Sequence, residues 1–267
     1  MDTVLTKKTK NLKLKNFDPA DTSPCKGGKA EAEERTDRLR EELSSLQELI
    51  AASGRDKVLI VLQGMDTAGK DGTIRKVFTG VNPQGVNVAS FKTPTRIEAS
   101  HDFLWRIHLR VPIGGEIVIF NRSHYEDVLY PVVHKTVDKK TIEKRYGHIN
   151  EFEKMLTDEG TLILKFFLHI DRDEQTKRLR SRLETENKQW KLSAADIAER
   201  EFWKDYRKAY EKILTLTSTK YAPWHIVPAN HKWYRDLYVM QALVDALKAL
   251  KLKAPKPDYD PDSIEIK

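Results

Sequence analysis

A single cysteine, Cys25, stands in the 267 residues, so no intrachain disulfide can staple the fold. No apolar run approaches the roughly 20 residues that span a bilayer, which excludes a transmembrane helix. The opening stretch, MDTVLTKKTKNLKLK, is basic but lacks the apolar centre of a signal peptide, so a soluble, cytoplasmic protein is expected. Internal repeats and low-complexity blocks are missing too. What is present argues against disorder, because 39% of the residues are hydrophobic and apolar runs recur from Val58 onward. Lys and Arg number 47 against 40 Asp and Glu, a formal charge of +7. That surplus suits an anionic partner such as a nucleotide, polyphosphate or nucleic acid, although acidic residues are plentiful as well.

Residues 1–29 lack amphipathic periodicity. They carry Lys7, Lys8, Lys10, Lys13 and Lys15, then the turn-rich DPADTSPCKGG. Two readings stand side by side: an extended basic arm packed on a neighbouring subunit, or a solvated tail. From Lys29 to Ala52, Leu39, Leu43, Leu46 and Ile50 recur at helical spacing. Lys57–Leu62 then reads as a buried strand, and such runs return at Val86–Phe91, Glu116–Phe120, Leu162–Ile170 and Trp224–Val227. Strands buried on both faces belong to parallel sheets. Helical stripes lie between them. One is Ile142, Tyr146, Ile149, Phe152 and Leu156. A second is Trp203, Tyr206, Tyr210 and Ile213. A third is Trp233, Leu237, Met240, Val244 and Leu247. Ser193 with Asp196 resembles a capping box that opens the second stripe, and the aromatic stripes read as core. Strand and helix in alternation predict an α/β fold with a parallel sheet.

Directly after the first strand comes GMDTAGKDGT, residues 64–73. It matches G-x-x-x-x-G-K, with Asp71 where Ser or Thr is usual. Glycines let a backbone fold so tightly that successive N–H groups face phosphate oxygens. The helix that follows adds its positive end, and Lys70 adds a full charge. Gly64, Thr67, Ala68, Gly69, Lys70, Asp71 and Gly72 are the expected phosphate-binding residues. A chance glycine-rich turn is the plain alternative, and the position at the end of the first strand of an α/β chain favours phosphate. Asp66 and Asp71 would repel a phosphate unless a cation lies between, and Mg²⁺ is the natural bridging ion. Asp66 is therefore the expected metal ligand and Asp71 a weaker one. Stabilisation of a helix N-terminus explains Asp71 equally well.

The third strand ends in Phe120–Asp127, FNRSHYED. In a doubly wound sheet the carboxyl ends of neighbouring strands share one crevice, so this cluster is expected to face the glycine loop. Arg122 can neutralise a transferring phosphoryl group. Glu126 and Asp127 could hold metal or water, or cap the next helix. A basic run after the fourth strand includes Lys177, Arg178, Arg180, Arg182, Lys188 and Lys191, and is read as a lid in preference to a solvated face. His101 and His108 are read as structural.

Six segments together resemble the polyphosphate kinase family 2: GMDTAGKDGT at 64–73, VNPQGVNVASFKTPT at 81–95, SHDFLWRIH at 100–108, IFNRSHYEDVL at 119–129, KQWKLSAADIAERE at 188–201 and YAPWHIVPANHKWY at 221–234. The resemblance implies a P-loop kinase fold similar to thymidylate kinase, with a central five-stranded parallel sheet flanked by helices and a helical lid. It implies one kinase domain over 30–267, with the lid at about 172–200. It also implies Mg²⁺-dependent, reversible phosphoryl transfer between inorganic polyphosphate and the nucleotides AMP, ADP and ATP, with GMP and GDP left open. Asn121 departs from members with Asp at this strand end. Asn there looks like the class III subgroup, which phosphorylates both nucleoside mono- and diphosphates. Carried over by position, Asp66, Lys70 and Arg122 are catalytic, and Glu126 joins them at a position associated with the nucleotide acceptor. Lys92, Arg106, Asn121, Arg122, Arg178 and Arg182 are the expected nucleotide- and polyphosphate-binding residues, although Lys92 and Arg106 could equally be surface charges. The family also suggests a homodimer or homotetramer, with neither membrane nor nucleic acid as partner.

Two other functions remain compatible with the residues. An ATP-dependent nucleoside monophosphate kinase shares the loop and the fold. A non-enzymatic binder of nucleic acid or polyphosphate would use the basic arm, but has no need of Asp66 inside a phosphate cradle.

Overall fold

The apolar runs assemble as one sheet because residues that face protein on both sides must be covered on both sides. The computed structural model of the protein describes residues 4–5, 11–260 and 264. Along the chain come α1 (Gly28–Ser53), β1 (Lys57–Gly64), α2 (Lys70–Val77), β2 (Val86–Ser90), α3 (Arg96–Ala99), α4 (Trp105–His108) and β3 (Ile117–Asn121). Then follow α5 (Glu126–His134), α6 (Lys139–Asp158), β4 (Thr161–His169), α7 (Arg172–Glu184), α8 (Ala194–Glu199), α9 (Trp203–Thr217), β5 (Trp224–Pro228) and α10 (Lys232–Ala249). The strands form a five-stranded parallel sheet in the order β2-β3-β1-β4-β5. In register, Val61 lies between Phe120 and Lys165.

The expected α/β fold with a five-stranded parallel sheet flanked by helices is what forms. β1 is buried from Val58 to Gly64. α1 packs along α10, which also meets α2; α5, α6 and α9 pack together as a second helical layer. The stripe Leu39, Leu43 and Ile50 is the buried face of α1, and that helix stops where Gly54 takes φ 61, a turn open to glycine. Asp138 and Asp171 cap α6 and α7 by accepting from the N–H groups of Thr141 (2.9 Å) and Glu174 (2.7 Å).

Three expectations change. β2 is an edge strand with Val88 53% exposed, not a strand buried on both faces. The Ser193–Asp196 capping box exists, but it opens the short helix α8; a 3₁₀ turn at Arg200–Phe202 separates that helix from α9, which carries the Trp203 stripe. Of the two readings for residues 1–29, the solvated tail does not hold for the described residues up to Phe17, which pack on their own chain. Leu5 N–H donates to Trp224 O (2.8 Å), and Val4 bridges His225, so this strap lies along the β5 edge. Leu12 and Leu14 enter the core, Leu14 N–H donates to Glu211 Oε1 (2.9 Å), and Phe17 O lies 3.1 Å from His169 Nε2. Buried leucines explain the strap, since an uncovered sheet edge and exposed apolar side chains are satisfied together. Lys7, Lys8 and Lys10 lie outside the described residues.

His225, on β5 beneath the strap, offers a test. Burial pushes its imidazole down to about 4 from 6.5. The unfolded chain therefore binds the extra proton between those values. Stability from neutral His225 is complete above about 6.5 and is lost as pH falls toward about 4. Chemical denaturation across that window should show His225→Gln losing less stability than the parent on acidification, by no more than about 3 kcal/mol. Parallel acid profiles for the two proteins would refute the assignment.

Candidate active site

The loop that leaves β1 is shaped by what stands behind it. A Cβ on Gly64 would come within 2.7 Å of Leu168 O on β4, so the strand end tolerates only glycine without a shift. Thr67 takes φ 63 and Gly69 φ 105. A Cβ on Gly69 would collide with the Arg235 guanidinium. Arg235 donates to Ala68 O (3.3 Å) and is held by Asp236 Oδ1 (2.8 and 2.7 Å). Arg178 of α7 is buried and spends all five N–H donors on this region. They go to Thr67 O (2.9 Å), Ala68 O (2.8 Å), Ala229 O (2.5 Å), Asn230 O (3.1 Å) and Glu174 Oε1 (2.7 Å). The Ala68 carbonyl thus points at two arginines, and a trans peptide turns the Gly69 N–H the opposite way. Lys70 Nζ folds back on Gly64 O (2.9 Å) and Met65 O (3.4 Å).

A cavity of about 790 Å³ opens in front of the loop. Gly64, Asp66 and Lys70 line it together with Arg122 and Glu126 from the β3 end, Lys92 and Arg106 from the β2 side, and Asp196, Glu199 and Arg200 from α8 and the turn after it. Leu129, Tyr130, Pro131, Val137, Trp203 and Tyr206 give it an apolar and aromatic lining as well. The crevice lies where the strand order reverses, at the carboxyl ends of β1 and β3, as the doubly wound pattern requires.

The candidate residues meet here in differing ways. Asp66 is half-buried, and its Oδ2 is enclosed with no hydrogen-bond partner; Arg182 Nη1 stands 3.6 Å away. Lys70, Arg122 and Glu126 feel one another electrostatically. Burial and then Arg122 lower the Lys70 ammonium, against the pull of Asp66, Glu126 and Asp71. Burial raises the Glu126 carboxyl, against Arg122 and Lys70. Arg122 takes φ 63, with its N–H on Leu62 O (3.3 Å). Asp71 is exposed in the first turn of α2 and accepts from Asn121 Nδ2, so these two join the β1 and β3 ends.

Other residues stand apart from the expected pattern. Arg106 is 6% exposed, pairs with Asp127 Oδ2 (3.1 Å) and donates to Lys92 O (2.8 Å), so it braces the wall that it lines. Arg178 lies behind the loop and touches backbone, whereas Arg182 faces Asp66. The segment expected to be a lid is anchored at both ends. Arg178 ties its start, Glu199 accepts from Tyr206 Oη (2.7 Å), and Arg200 donates to Gln175 Oε1 (3.2 Å) and Thr176 Oγ1. Trp190 between these anchors is 78% exposed. His101, expected to be structural, lines the cavity and stacks on Trp105 at 4.1 Å. Tyr206 and Tyr210, expected only in the core, both line the cavity, and Tyr210 Oη donates to Gly64 O (3.1 Å), the carbonyl that also holds Lys70. No signal in the sequence separates these two tyrosines from a core stripe of the same spacing.

No cluster of three or more His, Cys, Asp or Glu that could hold a metal exists among the described residues. The enclosed Oδ2 of Asp66, with no hydrogen bond and only the long pair to Arg182, fits an ion that takes one or two carboxylates and completes its shell from phosphate and water.

Residues 26–255 match the family described as Polyphosphate kinase 2. The chain is 53% identical to an AMP/ADP-polyphosphate phosphotransferase of Meiothermus ruber, over 96% of each chain. It is 46% identical to an ADP-polyphosphate phosphotransferase of Rhodopseudomonas palustris, over 81% of this chain and 79% of that one. A crystal structure of polyphosphate kinase 2 from Arthrobacter aurescens TC1 superposes with a TM-score of 0.93 at 45% identity, covering 96% of this chain and 92% of that one.

The two lid-side arginines should separate cleanly. Arg178→Lys loses buried bonds to loop carbonyls and should cost about 2–4 kcal/mol in denaturant unfolding. Arg182→Lys weakens a long, partly exposed pair with Asp66 and an exposed hydrogen bond to Lys191 O (3.2 Å), and should cost under about 1 kcal/mol. Equal losses in the two variants would contradict the placement of Arg178 behind the loop.

Proposed function

The chain belongs to the polyphosphate kinase 2 family, and on that premise we propose that it transfers phosphoryl groups reversibly between inorganic polyphosphate and nucleoside mono- and diphosphates, AMP to ADP and ADP to ATP. One observation carries the reading. A single cavity joins the Gly64–Lys70 cradle and Arg122 to Lys92 and to an apolar, aromatic wall at Tyr130, Pro131 and Trp203. Polyphosphate has no base or sugar to grip and is held by cations and N–H groups. A nucleotide has both a polyanionic tail and a flat apolar base, and the two sides of the cavity suit the two ends.

The chemistry asked of the side chains is modest. The terminal phosphate oxygen of an AMP or ADP acceptor is already ionised near neutral pH, so no strong general base is needed. Positioning and charge neutralisation supply most of the rate. Lys70 is parked on Gly64 O and Met65 O and is within reach of a phosphate in the cradle, where it exchanges carbonyl partners for phosphate oxygens. Arg122, across the crevice, neutralises the group in transfer. Glu126 acts on both cations through its charge. Arg182 and α8 cover the cradle and keep water from accepting the phosphoryl group. Mg²⁺ would be held by Asp66, with Asp71 as second carboxylate, and when bound it supplies positive charge to donor and acceptor phosphate oxygens. An ATP-dependent nucleoside monophosphate kinase has the same loop, but the family match and the names of the relatives do not favour it.

The deciding measurement mixes purified protein, Mg²⁺, long-chain polyphosphate and either AMP or ADP, with products separated by chromatography. ADP from AMP and ATP from ADP are expected, with no ATP added. Lys70→Ala should lose at least about 100-fold, and a chelator in excess of Mg²⁺ should stop turnover in the parent. Product from AMP only when ATP is the donor would sink the proposal.

A further inference from the structure

Beneath the turn between β3 and α5 lies a charged cluster that the phosphate chemistry does not touch. Lys165 in the middle of β4 is fully buried, as are Glu153 of α6, His124 and Tyr125. Lys165 Nζ donates to Glu153 Oε2 (2.6 Å), Thr217 O (2.7 Å) and Tyr125 Oη (3.0 Å), which uses all three of its N–H groups. It also lies over the rings of Trp224 (5.1 Å) and Tyr125 (5.5 Å). Glu153 Oε1 accepts from Tyr125 Oη (2.7 Å) and from His124 Nε2 (3.1 Å). Burial alone would raise the Glu153 carboxyl, but Lys165 and His124 outweigh it and hold the group below its usual value. Burial and Glu153 push the Tyr125 phenol well up, so it stays a donor.

Stability does not account for such a pair. Desolvation offsets the attraction, and apolar residues of like volume often serve as well or better. What the cluster holds is one short turn. Arg122 sits at φ 63, a backbone that a residue with a side chain keeps where its surroundings impose it. The next three residues, Ser123, His124 and Tyr125, are each 0% exposed. Two of them hang from Glu153, and Ser123 Oγ accepts from Gln63 Nε2 (3.2 Å). Glu126 follows at once. Both residues that flank the pinned stretch line the cavity.

We infer that the Lys165–Glu153 pair, acting through His124 and Tyr125, is a positioning device that sets where Arg122 and Glu126 stand against the transferring phosphoryl group. These are positioning residues, since none of them lines the cavity. The inference rests on the phosphotransfer reading above. It assigns a kinetic consequence to side chains that never meet the substrate.

Two variants and one cycle test it. Tyr125→Phe keeps the ring and removes the phenol. Lys165→Met with Glu153→Gln removes both charges together. Parent turnover with polyphosphate and ADP is recorded first, and an inactive parent counts against the phosphotransfer reading itself. With an active parent, both variants are expected to melt as folded proteins and to keep KM for ADP within about twofold. Their kcat should fall by about 10- to 100-fold, the cost of a displaced reacting group. In an Arg122→Lys background the loss from Tyr125→Phe should shrink, because it acts through that side chain; a merely structural role leaves the two losses additive. If the double variant fails to fold, Tyr125→Phe decides. A folded Tyr125→Phe with parental kcat, or additive losses in the cycle, overturns the inference.

Discussion

Positive charge must be gathered under a phosphate cradle without pushing the protein apart, and most of this structure answers that constraint. Arg178 is held by Glu174 and turns its remaining donors to backbone carbonyls, and Arg235 is held by Asp236 and donates to Ala68 O. Arg106 is balanced by Asp127. Each of these cations is neutralised where it braces the site. Lys70 and Arg122 instead face the cavity, where burial and then the Arg122 charge lower the Lys70 ammonium, an effect that a bound polyanion would relieve. The division is physical. Paired, buried arginines make geometry; cations turned toward solvent and ligand make affinity.

The same division marks what can be read from sequence. The strands are legible because burial on both faces leaves an apolar run, and the cradle because G-x-x-x-x-G-K has to follow a strand. The α1, α6 and α10 stripes are legible by period alone. Arg178 is not legible. Nothing in KRLRSRLE distinguishes a guanidinium that will fold inward from Arg180 or Arg182, since the choice depends on carbonyls more than 100 residues earlier in the chain. Tyr206 and Tyr210 read as core because an aromatic stripe looks the same whether its last turn meets protein or a cavity. Ser193 shows a genuine cap, but spacing cannot show that the helix it opens ends before Trp203. The strap escapes a reading of the sequence because Leu5, Leu12 and Leu14 have no period to betray what they pack against.

Fold and site are joined at β1. Its neighbours β3 and β4 run to either side, so Leu62 O takes the Arg122 N–H on one flank and Gly64 pairs with Leu168 on the other. The close approach of Gly64 to Leu168 O leaves the loop no room to drift toward β4. Tyr210 adds a hydroxyl to the carbonyl on which Lys70 rests. One backbone oxygen therefore reports to the sheet, to α9 and to the lysine of the cradle.

The N-terminal strap has a consequence for how the molecule is made. Leu5 O accepts from Ser218, a partner 213 residues away, and α1 packs along α10. A ribosome releases these first segments long before the strand and helix that they cover exist. During that interval Leu5, Leu12 and Leu14 have nothing to bury against, and the β5 edge cannot be closed. Non-local closure of this kind is slow and leaves apolar surface open to aggregation. The chain thus emerges with its fastener first and the part to be fastened last.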